Sequence, residues 1–390
     1  MQEDFYISPE PEKFARISKW GVPALSPTVN YGMALFEGMS IIARKKGSGY
    51  RLSFFHPMLN YERMKFGVDE LGMNAPVYPM ERHIKTVFQI CALNGWNKKI
   101  SLNGKEISIE RANGEKYARI YVRPVVYSTT NSIGLGAKMD FTIMHALLPF
   151  GQYLKMENPG GIKTILYPKP RSIPFANFKM ISNYPISISA RGLLNSFNEK
   201  NKYNAEEAVF VNEAGVLTEG SGENILLLKD NELITPPVSA GALPGTTLRI
   251  VSKIAESLGV RFSFRTFFPK DIEKAETMFF TGNAAGMIPI ASIAEIDEKF
   301  SVKKLHETEI GGRGELFKKI NSLYESVVFG DDSFGDFSVY FDDWMSEEEA
   351  DELEKEKRDS FSLNMKINPP EKWEKQKESV LKELGIGKFL

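Results

Sequence analysis

The stretch "FKMISNYPIS", residues 178–187, sets one lysine among Phe178, Met180 and Ile181, just ahead of Pro185 and a helical pattern. A lysine before an apolar helix is ordinarily a surface group whose stem lies along the core. An amine that attacks a carbonyl needs a lowered proton affinity, which desolvation by such neighbours supplies, so Lys179 keeps covalent aldehyde chemistry open. Tyr184 follows five residues later, at the start of the helix, where a hydroxyl can be aimed into the same cavity. Glu219 closes the short strand "GVLTEG", and strand ends border active sites. In "LPGTTLR", Gly245, Thr246 and Thr247 open a helix whose free N–H groups and positive dipole end suit a phosphate. Taken singly these have ordinary explanations: a core tyrosine, an exposed strand-end glutamate, a threonine N-cap. Together an amine, a carboxylate, a phenol and an anion site are what pyridoxal phosphate (PLP) requires.

The elements that must position these groups are legible in outline. "SIIARKKGSGYRLSFF" predicts a hairpin from Ser40 to Phe55, and "MLNYERMKFGVDELGM" and "MERHIKTVFQICALNG" predict helices. Strands "ARIYVRPVVY" and "DFTIMHALLPF" follow, so residues 1–148 form a smaller α+β domain. "GQYLKMENPGG" is polar and Gly-rich, and 149–160 is read as an interdomain linker. Residues 161–344 form the larger domain: a strand meander from Ala205 to Pro237, a helix with Leu248, Val251, Ile254, Ala255 and Leu258 on one face, and a strand, Gly turn, strand over "TMFFTGNAAGMIPIASI". Residues 345–390 turn sharply charged, with two helices, the first carrying a Ser346/Glu349 capping box. Their composition predicts a solvated or loosely docked C-terminal helical extension. Hairpins and meanders rather than a βαβ series give the class α+β, with the cofactor cleft expected between the two α/β-mixed domains.

Other chemistries are disfavoured. A formal net charge of -1 and no 18-residue apolar run argue against nucleic acid and membranes as partners. The four histidines, His56, His83, His145 and His306, stand far apart in sequence without ligand spacing, so no metal is expected. No GxxxxGK[ST], strand-borne GxGxxG or GxSxG is present. The single cysteine, Cys91, and the acidic start "MQEDFYISPE" make the cytoplasm the expected location.

In order along the chain, "NYGMALFEGMS", "FHPMLNYERM", "YVRP", Lys179 with Asn183 and Tyr184, Glu219 with Ser221 and Asn224, "TPP" with "LPGTT", and "GNAA" at 282–285 resemble the motifs of the class IV aminotransferases, PLP fold type IV. "YVRP" in particular is similar to the branched-chain amino acid aminotransferases. The resemblance implies that Lys179 forms the internal aldimine and then moves the proton between Cα and C4′. Glu219 would pair with the pyridine nitrogen, Tyr184 would donate to the phenolic oxygen, and Arg63, Thr246 and Thr247 would hold the phosphate. Tyr121 and the backbone at Asn283 and Ala284 would receive the substrate carboxylate, with Asn283 also beside the cofactor; Arg123 would border the side-chain pocket. Tyr31 and Phe36 would project toward the neighbouring subunit's pocket, which implies a homodimer.

The activity implied is amino transfer between a branched-chain L-amino acid and 2-oxoglutarate. The alternatives are a D-amino-acid transaminase, an aminodeoxychorismate-lyase-like enzyme, or a PLP-binding protein without turnover. The chain departs from the family at Met180, Ile181 and Ser182, where small residues are usual, and at Leu248, where arginine is usual.

Overall fold

In the computed structural model, residues 4–390 are described except 76–78, 104–105, 112, 152–159, 174, 298, 309–313, 357 and 364–366. Most of the expected linker therefore lies outside the described residues. The chain divides into two compact units: residues 1–151, 179–182 and 328–385 in the first, and 152–178, 183–327 and 386–390 in the second.

The first unit is built on an antiparallel sheet. Its strands in chain order are β1 (Tyr6–Glu10), β2 (Lys13–Arg16), β3 (Leu35–Phe36), β4 (Met39–Lys46) and β5 (Gly49–Phe55). After a small separate sheet of β6 (Lys99–Asn103), β7 (Glu106–Glu110) and β8 (Lys116–Tyr117) come β9 (Arg119–Ser128) and β10 (Phe141–Phe150). The β4–β5 hairpin forms as its sequence predicts, with Gly47 at φ 60° supplying the left-handed turn residue. Helix α1 (Pro27–Tyr31) is capped by the Ser26 side chain and ends at Gly32, φ 66°. Helices α2 (Pro57–Glu70) and α3 (Met80–Leu93) occupy the two predicted helical stretches. Polar Asn60 and Arg63 are as buried on α2 as Leu59 and Met64, so this helix supports more than a core.

The second unit is organised by a mixed sheet. Its strands are β11 (Ile162–Leu166), β12 (Glu207–Val211), β13 (Leu217–Gly220), β14 (Asn224–Lys229), β15 (Glu232–Thr235), β16 (Arg261–Phe264), β17 (Thr277–Gly282), β18 (Gly286–Ile296) and β19 (Val302–Glu307). Because β13 pairs with both β12 and β14, the path β13, β12, β11, β18, β17, β14 closes into a ring. Ile162, Val209, Leu217, Ile225, Met278, Phe280 and Ile290 pack together as one core. Helix α4 (Pro185–Asn201) lays Ala190, Leu194 and Phe197 on Ile165, Ala208 and Phe210. Helix α5 (Thr246–Ser257) buries Leu248, Val251, Ile254 and Ala255, as its period predicts. Helix α6 (Glu315–Phe329) places Phe317 against Phe279. The α+β class holds; among the described residues parallel pairing is confined to β11 with β12 and β18 and to β15 with β16.

The linear division of the chain needs correction in two places. Residues 179–182 belong to the first unit because their backbone pairs with residues 34–36: Phe36 N–H donates to Lys179 O at 3.0 Å and Ile181 N–H to Ala34 O at 3.1 Å. The C-terminal region is also part of that unit up to residue 385. Strand β20 (Ser338–Tyr340) pairs with β5, and β21 (Ser360–Ser362) pairs with β2. Between and after them lie α7 (Phe341–Trp344), α8 (Glu347–Glu354) and α9 (Trp373–Leu384). The capping box of Ser346 and Glu349 forms on α8.

A solvated appendage does not describe this region. Trp344, Met345, Ala350, Leu353, Phe361, Trp373, Val380 and Leu384 are buried, and Leu363, Ile367 and Leu381 are half-buried, so composition understated a narrow packing face. The Trp373 indole donates to Glu81 and stands edge-on to Trp344 at 5.2 Å. Trp373→Ala is therefore expected to destabilise the protein by about 3 kcal/mol, the lower end for a buried large aromatic, read as a lowered urea midpoint.

Candidate active site

Each unit holds a cluster of the expected site residues. In the first, the strand-like segment 179–181 lies along β3, with Met180 bridged to Leu35. The bulk at Met180 to Ser182 thus has a structural use: Met180 is buried, and Ser182 packs against Gly32, where an added Cβ would lie 3.0 Å from Ser182 Cβ. Lys179 Nζ lies 5.1 Å from the Phe36 ring centroid, and the Arg123 guanidinium lies 4.2 Å from the same ring. Phe36 thus lies beside its own chain's Lys179 and Arg123. The reason is register: β3 pairs with β9, so Phe36 faces Val125 and sits beside Arg123.

Arg123 donates to the Tyr121 hydroxyl at 2.5 Å, and its Nε is buried without an acceptor among the described residues. Gly38 is required here, since a Cβ would come 2.5 Å from the Tyr121 hydroxyl oxygen. Tyr31 lies apart from this cluster, 40% exposed, its hydroxyl accepting from Gly134 N–H at 3.0 Å.

Arg63 is held by a partner that sequence reasoning passed over. Its Nε and one Nη donate to the two oxygens of Glu37, both at 2.7 Å, and Asn60 adds a bond to Glu37 at 2.9 Å. Burial alone would push the Glu37 carboxyl up; the Arg63 guanidinium, with Lys179 and Asn60, outweighs it and holds that carboxyl below the usual range. Behind Asn60, His56 Nδ1–H donates to Asn60 Oδ1 at 2.8 Å, and burial lowers the imidazole's pKa to about 4. Glu37 stands in plain sight inside "FEG"; its role depends on α2 crossing that strand, which spacing does not reveal.

Two of the histidines meet in space despite their separation in sequence: His83 Nδ1 is 3.2 Å from His145 Nε2, with Tyr61 stacked on His83 at 4.4 Å. Burial, and then the neighbouring His83, push His145 well below its usual value. Among the described residues, no group of three or more His, Cys, Asp or Glu is placed to hold a metal.

In the second unit, Glu219, next to last in β13, pairs with Asn224 of β14. Its Oε1 accepts from Arg171 Nη at 2.5 Å and its Oε2 from Leu243 N–H at 2.9 Å, so the carboxylate is fixed at both oxygens. Asn224 donates to Leu243 O at 2.6 Å and so holds the start of the "LPGTT" turn. Gly245 caps α5 without a side-chain bond, leaving the first N–H groups of the helix to another acceptor. Thr247 Oγ1 and Thr281 Oγ1 are buried without a hydrogen-bond partner among the described residues. Asn283 and Ala284 form the turn between β17 and β18, closed by Gly286 at φ 69°. Tyr184 caps α4. Arg249, one residue past Leu248, is fully buried with its guanidinium 5.4 Å from the Phe389 ring, so both positions serve the core of this unit.

These residues fit PLP. A buried hydroxyl without a partner at an uncapped helix start suits a phosphate, and a fixed carboxylate suits a pyridine N–H. Gly245 keeps the cup open, because a Cβ there would collide with Asn224 Oδ1. Gly245→Ala is expected to weaken PLP binding about tenfold or more, equivalent to about 1.4 kcal/mol, with equilibrium dialysis against PLP as the check.

Comparison with known proteins gives the family. Residues 34–293 match the family "Amino-transferase class IV", and the chain belongs to that family of enzymes, which are PLP-dependent. Within it, the resemblance is to the branched-chain amino acid aminotransferases. The chain is 28% identical over 288 residues to Branched-chain-amino-acid aminotransferase 1, mitochondrial, of Arabidopsis thaliana, covering 71% of this chain and 67% of that protein. It is 27% identical over 281 residues to the Branched-chain-amino-acid aminotransferase of Salmonella typhimurium, covering 70% and 80%. The crystal structure of the branched-chain aminotransferase from Thermoproteus uzoniensis with norvaline superposes at TM-score 0.69 and 25% identity, covering 87% of this chain and all of that one. A branched-chain amino acid aminotransferase solved with pyridoxamine 5'-phosphate has the same fold at TM-score 0.67 and 21% identity, with the same coverage of both chains.

Proposed function

We propose that this protein transfers the amino group of a branched-chain L-amino acid to 2-oxoglutarate with PLP as cofactor. When bound, PLP supplies an aldehyde and an electron-withdrawing ring. Lys179 Nζ would supply the amine that holds that aldehyde and would carry the substrate's Cα proton. Glu219 holds the ring nitrogen, Tyr184 the ring oxygen, and Thr246, Thr247 and Asn283 the phosphate side. Arg63 assists on the phosphate side.

The observation that carries the substrate reading is the Arg123 side chain. Its buried Nε lacks an acceptor among the described residues, and its guanidinium lies over the same Phe36 ring that Lys179 approaches. A substrate carboxylate gives that donor its acceptor, while Phe36 offers an apolar wall to a leucine, isoleucine or valine side chain. Tyr121, and the backbone at Asn283 and Ala284, take the α-carboxylate.

The protein acts as a homodimer in the cytoplasm. Leu25, Val29, Tyr31, Ile133 and Leu135 are 40–84% exposed, and two hydrogen bonds, Tyr31 to Gly134 and Leu25 to Asn131, bring them into one apolar surface suited to a second copy. Among the described residues no helix is long and apolar enough to cross a membrane.

The test is an absorption spectrum of the PLP-loaded protein before and after L-leucine, then after 2-oxoglutarate. Loss of the cofactor band with leucine and its return with the oxoacid are expected. A band that ignores leucine but responds to D-alanine would replace the substrate assignment with the D-amino-acid alternative.

A further inference from the structure

Arg171 is not among the residues that the family motifs point to, yet it is bonded to the carboxylate on which the ring nitrogen depends. It is buried, 3% exposed, and its main chain is fixed by donation to Val211 O at 2.7 Å. Its guanidinium lies 4.9 Å from the Phe210 ring and pairs with Glu219 Oε1 at 2.5 Å. Leu243 N–H holds the other oxygen. The pair is thus built into the second unit, independently of any ligand.

We propose that Arg171 is a positioning residue that keeps the proton shared by Glu219 and the cofactor on the ring nitrogen. This rests on the PLP reading above. When one proton serves a carboxylate and a pyridine, it resides either in an O–H bond or in an N–H bond. Moving it to the ring breaks the first and forms the second, and no electrons are exchanged with any other group. Arg171 lies in direct contact with the Glu219 oxygen, and any group that Glu219 binds on its remaining lone pairs lies farther from the guanidinium. Arg171 therefore attracts the carboxylate more than it repels a protonated ring, because the interaction falls with distance and is weakly screened in a buried site. The pair favours ionised Glu219 with a protonated ring over two neutral partners. A protonated ring is the stronger electron sink, so Arg171 acts on the chemistry through Glu219.

A second observation makes the proposal testable by rescue. Arg171 lines a cavity of about 510 Å³ together with Ser172, Asn177, Asn212 and Ser239, and its Nε is without an acceptor among the described residues. Free guanidinium can therefore reach the place vacated in a truncated side chain.

The experiment loads wild type, Arg171→Lys, Arg171→Met and Arg171→Ala with PLP isotopically labelled at the ring nitrogen and reads that nitrogen by NMR, with the PLP dissociation constant measured alongside. In wild type the resonance should be that of a protonated ring. Arg171→Met should move it toward the unprotonated position and weaken PLP binding about tenfold. Arg171→Lys should retain the wild-type resonance, and free guanidinium should restore it in Arg171→Ala. An unchanged resonance in folded Arg171→Met overturns the proposal; so does a shift in Arg171→Lys equal to that in Arg171→Met, which marks a purely structural role. Should Arg171→Met fail to fold, the lysine variant and the guanidinium titration decide alone. Wild type that binds no labelled PLP overturns the cofactor reading instead.

Discussion

Lys179→Ala is expected to lower the rate of leucine deamination on the order of 10⁴-fold, the upper range for removing a positioned proton carrier, and to abolish covalent attachment of PLP. The measurement is a single-turnover assay with L-leucine, together with borohydride reduction of the loaded protein followed by mass spectrometry. The expectation follows from position as well as residue type. Lys179 is held by its own backbone bond to Phe36, its ammonium lies over that ring, and Glu37 is near enough to interact with it. Loss of the side chain should leave the fold in place, because the bonds that seat residues 179–181 on β3 are main-chain bonds. A variant that keeps more than a tenth of wild-type turnover would mean that another amine carries the chemistry.

The second large effect is expected at Glu37, through stability. Glu37→Gln removes the carboxylate that pairs with the buried Arg63 guanidinium, and breaking a buried pair by removing one partner costs about 3–5 kcal/mol. Both side chains are almost fully enclosed, 3% and 1% exposed, so solvent screening does little to reduce the figure. Urea unfolding of the cofactor-free protein at neutral pH measures it, and Glu37→Gln combined with Arg63→Met should recover much of the loss. The pH dependence has a definite sign. The Glu37 carboxyl is held below its usual range, so its contribution is complete above the unfolded value of about 4.3 and is lost as pH falls through the lower folded value. Wild type should therefore lose stability below about pH 4 more steeply than Glu37→Gln. Equal acid slopes would assign the acid sensitivity to other carboxylates.

Much of the site was legible because its parts are local. The "LPGTT" turn announces a helix start by its own residues, the β4–β5 hairpin by its Gly-Ser-Gly turn, and Lys179 and Tyr184 by their separation of five residues. What escaped reading was pairing over long separations. Glu37 and Arg63 meet because a helix crosses a strand, and Arg171 and Glu219 meet across β12 and β13. Neither encounter leaves a periodic trace. The C-terminal region misled for a related reason: a helix as charged as "WEKQKESVLKEL" buries only Trp373, Gln376, Val380 and Leu384. That is a thin stripe, and composition averages it away.

The route of the chain also bears on how the protein comes to exist. The outer strands of the first unit's sheet, β20 beside β5 and β21 beside β2, come from residues 338–362, whereas most of that sheet lies before residue 151. On a ribosome, β2 and β5 emerge long before the strands that cover them, and their unpaired edges stay open to other chains during that interval. The second unit, drawn mainly from residues 152–327, can close its ring of strands earlier than the first can finish its sheet. The half that begins first during synthesis is thus the half that ends last, and truncated or stalled products are expected to aggregate through those two edges.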